Sequence, residues 1–178
     1  MKAPKYSEFE HERRFIIPEG IPNHLEGMPY RIITDRYLSF GRLRLRRIEN
    51  VDGGEVTYKL CKKYGPLTPS CEPIVNIYLD AKEYNGLLAL PGTNLTKHRY
   101  HDEFKERQFG IDAFQGELSG LTLCETEAKS KEALFKSQFP PYATIEVTEH
   151  PFFSGGRLIH ARYTELENML AELHSKGP

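Results

Sequence analysis

Residues 121–128 read Leu-Thr-Leu-Cys-Glu-Thr-Glu-Ala, and in an extended chain successive side chains point to opposite faces. Glu125 and Glu127 therefore share one face, while Cys124, Thr126 and Ala128 make the other small and apolar. The same separation recurs elsewhere along the chain. Glu10 and Glu12 share a face that Arg14 continues, with Phe9 and Phe15 opposite. Arg42, Arg44 and Arg46 stand together against Leu43 and Leu45, Lys97 shares a face with Arg99, and Glu146 shares one with Thr148 against Ile145 and Val147. A charged strand face is ordinarily the solvated side of an antiparallel sheet. Like charges two residues apart repel unless opposite charge lies between them, and here acidic and basic pairs occupy separate strands. Closing the sheet into a barrel would turn both sets onto shared ions. Clustered carboxylates suit a hard divalent cation such as Mg²⁺, and clustered Arg and Lys suit a polyphosphate.

Alternating β-branched and aromatic residues place strands over residues 8–17, 32–38, 43–49, 56–62, 74–79, 95–100, 109–115, 121–128 and 144–148. Asp52-Gly53-Gly54 supplies the positive-φ positions of a turn joining two antiparallel strands. Residues 64–73, with Pro66, Pro69 and Pro73, form the most irregular stretch. Asp80 is an N-cap for a helix over 81–90 that Pro91-Gly92 ends, and Ser130 caps a shorter one. Near the C-terminus Leu166, Met169, Leu170 and Leu173 make an apolar helical stripe expected to cover one side of the sheet.

The 178 residues suffice for a single domain spanning 1–178, and 39% hydrophobic with 28% charged residues describes a folded chain. A net charge of −1 from 24 Lys+Arg and 25 Asp+Glu argues neither for a nucleic-acid coat nor for an anionic membrane surface, and neither partner is expected. Three unpaired cysteines and no long apolar run predict a cytoplasmic protein. The histidines lack zinc-ligand spacing, and no Walker loop or Gly-x-Ser-x-Gly elbow is present. Ser154-Gly155-Gly156 reads as a turn and helix cap.

Seven segments then carry a resemblance. They are Glu10-His11-Glu12-Arg13-Arg14-Phe15, Arg44-Leu45-Arg46, Thr57-Tyr58-Lys59, Lys97-His98-Arg99-Tyr100, residues 111–117, residues 120–127 and Glu146-Val147-Thr148-Glu149. In this order they resemble the CYTH superfamily, the triphosphate tunnel metalloenzymes, over nearly the whole chain. That superfamily includes inorganic triphosphatases, thiamine triphosphatases and a class of adenylate cyclases. Arg14 departs from its lysine, Ile74 from the second of two mid-chain glutamates, and Glu149 from its closing aspartate.

The resemblance implies an α+β fold, predominantly antiparallel β: an eight-stranded closed barrel forming a tunnel, with helices packed outside. It implies metal-binding carboxylates at Glu10, Glu12, Glu125, Glu127 and Glu146, with Glu72 as a further tunnel acid. Arg44, Arg46, Lys59, Lys97 and Arg99 would grip phosphate oxygens, and Arg14, Lys97, Arg99 and Asp112 would serve catalysis. The implied reaction is hydrolysis of a small linear triphosphate, tripolyphosphate above all, with Mg²⁺ or Mn²⁺. Adenylate cyclase, thiamine triphosphatase and a non-catalytic polyphosphate-binding module are the alternatives.

Overall fold

The computed structural model describes residues 4–175. Its strands are β1 (Glu8–Ile16), β2 (Arg31–Leu38), β3 (Leu43–Asn50), β4 (Thr57–Lys63), β5 (Cys71–Leu79), β6 (Gly92–Phe104), β7 (Arg107–Phe114), β8 (Thr122–Ala128) and β9 (Ile145–Glu146). The helices are α1 (Ala81–Leu87), α2 (Lys131–Phe135), α3 (Gly155–Leu158) and α4 (Tyr163–Ser175). Antiparallel neighbours run β5-β4-β3-β2-β6-β7-β8-β1, and β1 pairs back onto β5, closing an eight-stranded barrel. β9 adds two residues to β1 at Phe15 and Ile16.

Closure depends on β1 serving two neighbours on one edge. Residues Glu8 to His11 pair with Cys71 to Ile74 of β5, whereas Phe15 and Ile16 pair with β9. This pairing also corrects the irregular stretch, since Cys71, Glu72 and Pro73 belong to β5. Pro73 cannot donate to a ladder, yet its carbonyl accepts from the Tyr64 N–H at 3.1 Å. The strand expected over 144–148 shrinks to β9, because the chain turns away after Glu146.

Outside the barrel the apolar faces are covered in patches. Leu38, Leu45 and Tyr84 form one cluster with Tyr58 and Leu60, and the Tyr58 and Tyr84 rings lie 4.6 Å apart. Burying each such side chain stabilises by about 1.5–3 kcal/mol. α1 is held over this patch by a reciprocal cap: the Glu83 N–H donates to the Asp80 carboxylate at 2.8 Å, and the Asp80 N–H donates to the Glu83 carboxylate at 2.9 Å. A second patch joins Tyr100, Phe109, Ile111 and Cys124 with Phe15 and Phe139.

A third cluster sits at one end of the barrel. The inward-facing alternation of β1, β6, β7 and β8 continues through Ile16, Leu95, Phe114 and Leu123, but these are apolar and pack with Val147, Phe152, Phe153 and Leu158. The segment from Val147 to Leu158 thus caps the lumen. α4 presses Leu166 and its stripe into the same cluster, so the helix supports the cap instead of covering a sheet side. Gly155 is dictated by this fit, since a Cβ there would stand 2.1 Å from the Tyr37 hydroxyl oxygen.

β6 and β7 are longer than expected because they meet in a two-residue hairpin. Phe104 pairs with Arg107, and Lys105 and Glu106 between them adopt φ of 49° and 61°. Such a mirror-image turn favours Asn-Gly, and each L side chain in this region costs about 1–2 kcal/mol. Glu106→Gly is therefore expected to raise stability by about 1 kcal/mol, a melting temperature gain of about 2–4 °C by thermal denaturation. No gain would show that the turn is unstrained.

Candidate functional site

The barrel forms an open-ended cavity of about 1310 Å³, and its charges are divided by wall. β8, β1 and β5 are neighbours and present Glu125, Glu127, Glu12, Glu10 and Glu72. Around the other side β4, β3 and β6 present Lys63, Arg44, Arg46, Lys97 and Arg99, with Arg42 at 59% side-chain exposure on the rim. Antiparallel register makes the acids crowd: Glu10 stands opposite Glu72, and Glu12 opposite Glu127. Directly opposed like charges destabilise a ladder unless a counter-ion joins them.

On the basic side each pair of cations straddles one buried aspartate. Asp35, at 2% exposure, accepts from Arg46 Nε and Nη2 at 2.6 and 2.7 Å and lies 3.5 Å from Arg44 Nε. Burial alone raises the Asp35 carboxyl, but Arg44 and Arg46 outweigh it and hold the group well below the usual carboxylate range. Asp112, at 0% exposure, accepts from Arg99 Nε and Nη2, both at 2.5 Å, and from Lys97 Nζ. Arg99 needs a gap in the neighbouring strand, and Gly110 provides it, because a Cβ there would lie 3.1 Å from Arg99 Nε. Among the described residues Arg44 Nε is buried without a hydrogen-bond partner. An unsatisfied guanidinium N–H in a cavity is a site for an anionic oxygen.

The acidic side is only partly neutralised. Lys63 Nζ reaches Glu10 at 2.7 Å and Glu72 at 3.4 Å. Arg14 Nε lies 3.0 Å from Glu12 and 3.8 Å from Glu125, and Arg99 Nη2 holds Glu125 at 2.5 Å. Burial raises the Glu12 and Glu125 carboxyls, yet Arg14 beside the first and Lys97 beside the second leave both below their ordinary range. Among the described residues Glu127 has no salt bridge. Although its side chain keeps contact with solvent, partial desolvation on the crowded wall and then Glu10, Glu12 and Glu125 push its carboxyl up to about 7. A cluster of hard oxygen donors with one uncompensated member fits Mg²⁺ or Mn²⁺. Among the described residues no three His, Cys, Asp or Glu side chains are already drawn together around a common point, since Glu10 and Glu12 are turned to Lys63 and Arg14.

Of the residues expected at the site, the cavity brings together Glu10, Glu12, Arg14, Arg44, Arg46, Glu72, Lys97, Arg99, Glu125 and Glu127, with Asp112 behind Lys97 and Arg99. Two are not brought there. Glu146 accepts from Arg13 Nε and Nη2 at 2.8 and 2.7 Å on the barrel exterior, because β9 lies outside the ring and Arg13 alternates away from the lumen. Lys59 stands 4.7 Å over the Tyr78 ring. Its wall lies open there, since the β1–β5 pairing stops at Glu8 and Ile74. Lys63, four residues along β4 and on the same face, supplies the lumen cation instead. Asp35 and Lys63 escaped the sequence reading. Asp35 shares its strand face with Ile33 and Tyr37 and has no second acid on that strand to mark it. Ile74, buried at 8%, stands opposite Lys63 and Glu8 and adds no carboxylate.

No family model matches the chain, and no curated protein matches it in sequence. Solved structures share its fold. The inorganic triphosphatase NE1496 is 24% identical, with 85% of this chain and 95% of that one covered at a TM-score of 0.54. The PH1819 protein from Pyrococcus horikoshii OT3 is 18% identical, with 92% and 89% covered at a TM-score of 0.55. At these identities the likeness is one of fold.

Proposed function

We propose that this chain is a divalent-cation-dependent hydrolase of linear triphosphates, with inorganic tripolyphosphate as its first substrate. The observation that carries the reading is the opposition of a carboxylate wall to an Arg/Lys wall across one open-ended cavity. Triphosphate oxygens are matched by Arg44, Arg46, Lys97 and Arg99, whose positions Asp35 and Asp112 fix in advance. Glu10, Glu12 and Glu127, with Glu72 and Glu125 beside them, are the residues that would hold Mg²⁺ or Mn²⁺. A bound divalent ion supplies charge neutralisation on the phosphate oxygens and an acidified water. The cationic side chains stabilise the charge that spreads over the transferring group. The solved inorganic triphosphatase of the same fold supports this reading.

The test is phosphate release from tripolyphosphate, thiamine triphosphate and ATP, side by side with Mg²⁺ and Mn²⁺, with cyclic AMP measured in parallel. Tripolyphosphate is expected to turn over fastest and only with the cation. Release that is indifferent to EDTA would sink the reading, and cyclic AMP formation would move it to a cyclase. A second reading has its own observation. Lys63 and Arg14 already neutralise Glu10 and Glu12, so the cavity could bind polyphosphate without a metal and without turnover. Tight cation-independent binding with no hydrolysis would establish that module.

A further inference from the structure

Arg14 is bonded through its main chain and through all three nitrogens of its guanidinium. Its N–H donates to Thr148 Oγ1 at 3.0 Å, and its carbonyl accepts from the Val147 N–H at 2.9 Å. One end of its guanidinium, Nη1, donates to the Phe153 carbonyl at 3.0 Å. The opposite edge donates to Glu12 from Nε at 3.0 Å and from Nη2 at 3.4 Å, with Glu125 3.8 Å away. Among the described residues, every hydrogen bond between residues 147–153 and strands β1–β8 ends on Arg14: its main chain holds Val147 and Thr148, and its guanidinium alone holds Phe153. That segment has little backbone structure of its own beyond single turns such as His150 N–H to Val147 O at 3.1 Å and Phe153 N–H to His150 O at 3.2 Å. Yet it carries Phe152 and Phe153, which at 7% and 1% exposure close the apolar end of the lumen.

We propose that Arg14 is a positioning residue that ties the cap to the acidic wall, and not a catalytic group. A guanidinium does not give up a proton near neutrality, so it cannot serve as a general acid. Its planar fork does what a lysine cannot. It presents one edge to a carboxylate while its far nitrogen reaches a carbonyl on another segment. In this arrangement the orientation of Glu12 and the seating of Phe153 are set together, so the floor of the cavity and one of its acids form one unit. The consequence for turnover rests on the triphosphatase reading, whereas the tie itself does not.

The experiment combines amide hydrogen exchange on the ligand-free full chain with steady-state kinetics, using Arg14→Lys and Arg14→Met. Exchange across residues 147–158 is expected to quicken by about tenfold or more in both variants, with β2, β3 and β4 unchanged. In Arg14→Lys the KM for tripolyphosphate is expected to rise by about fivefold or more while kcat stays within about threefold of wild type. Unchanged exchange over 147–158 in Arg14→Lys overturns the proposal. So does a kcat loss on the order of a hundredfold with KM and exchange unaltered, which would make Arg14 part of the chemistry. If Arg14→Met does not fold, Arg14→Lys decides alone. If the chain hydrolyses nothing, the exchange result still decides the tie.

Discussion

Asp112→Asn is expected to lower the stability of the ligand-free protein by about 3–5 kcal/mol, the cost of removing one partner from a buried charge cluster. At the size of this chain that corresponds to a melting temperature lower by roughly 10 °C. Asp112 is fully buried and accepts from both Lys97 and Arg99, so an uncharged amide of the same shape leaves two cations facing each other in a confined lumen. Glu125 takes up part of the deficit through Arg99 at 2.5 Å and Lys97 at 3.8 Å. The same imbalance should make the variant more responsive to anions. Tripolyphosphate is expected to restore more of the melting temperature in Asp112→Asn than it adds to wild type, since each phosphate oxygen replaces a lost counter-charge. Thermal melts with and without tripolyphosphate check both parts. A variant that melts within about 2 °C of wild type would show that Asp112 is not the support of the basic wall.

The division of the charges was readable in residues such as Glu125 and Glu127 or Arg44 and Arg46, because strand alternation is strictly two-fold and like charges in one strand announce a shared face. Alternation says nothing about whether that face turns inward. Closure came from the resemblance, and in the structure it rests on four residue pairs between β1 and β5, one of them the acidic pair of Glu10 and Glu72. Glu146 shows the limit of the alternation argument. Its spacing with Thr148 matches that of the lumen acids, but β9 is only two residues long and hangs on the outer side of the ring, where Arg13 captures the carboxylate. Lys59 and Lys63 share a face of β4, and only the stagger of closure decides which of them meets the cavity. Asp35 is the most consequential miss. A single acid between Ile33 and Tyr37 on one face of its strand gives no periodic signal, and its role appears only when β3 delivers Arg44 and Arg46 beside it. The hairpin at Lys105 and Glu106 was hidden for a different reason, since neither residue is of the type that such a turn ordinarily recruits.

Two glutamates two residues apart on β8 should respond in opposite ways to the same substitution. Glu125 is clasped by Arg99 at 2.5 Å and by Lys97 and Arg14 at 3.8 Å, so Glu125→Gln removes a counter-ion from three cations and is expected to cost about 3 kcal/mol. Glu127 has no such partner among the described residues, and its repulsion from Glu10, Glu12 and Glu125 ends when it becomes Gln. Its carboxyl is raised from an ordinary 4.5 to about 7, so the folded state holds its proton more tightly than the unfolded chain does. Stability from that proton is present below pH 4.5 and is lost as pH rises to about 7, the window in which wild type should fall behind Glu127→Gln. Glu127 opens onto the solvent of the cavity, which screens the repulsion, so the advantage of the variant near pH 8 is about 1 kcal/mol. Function is expected to move the other way. Losing the uncompensated carboxylate should lower Mg²⁺-dependent tripolyphosphate turnover by at least about 100-fold, the scale on which even an outer partner of a metal ligand can matter. Thermal melts across pH 4 to 8, with Mg²⁺ titrations of turnover, separate the two glutamates. A Glu127→Gln protein that is less stable at pH 8 yet fully active would place the cation elsewhere and make Glu127 an ordinary wall residue.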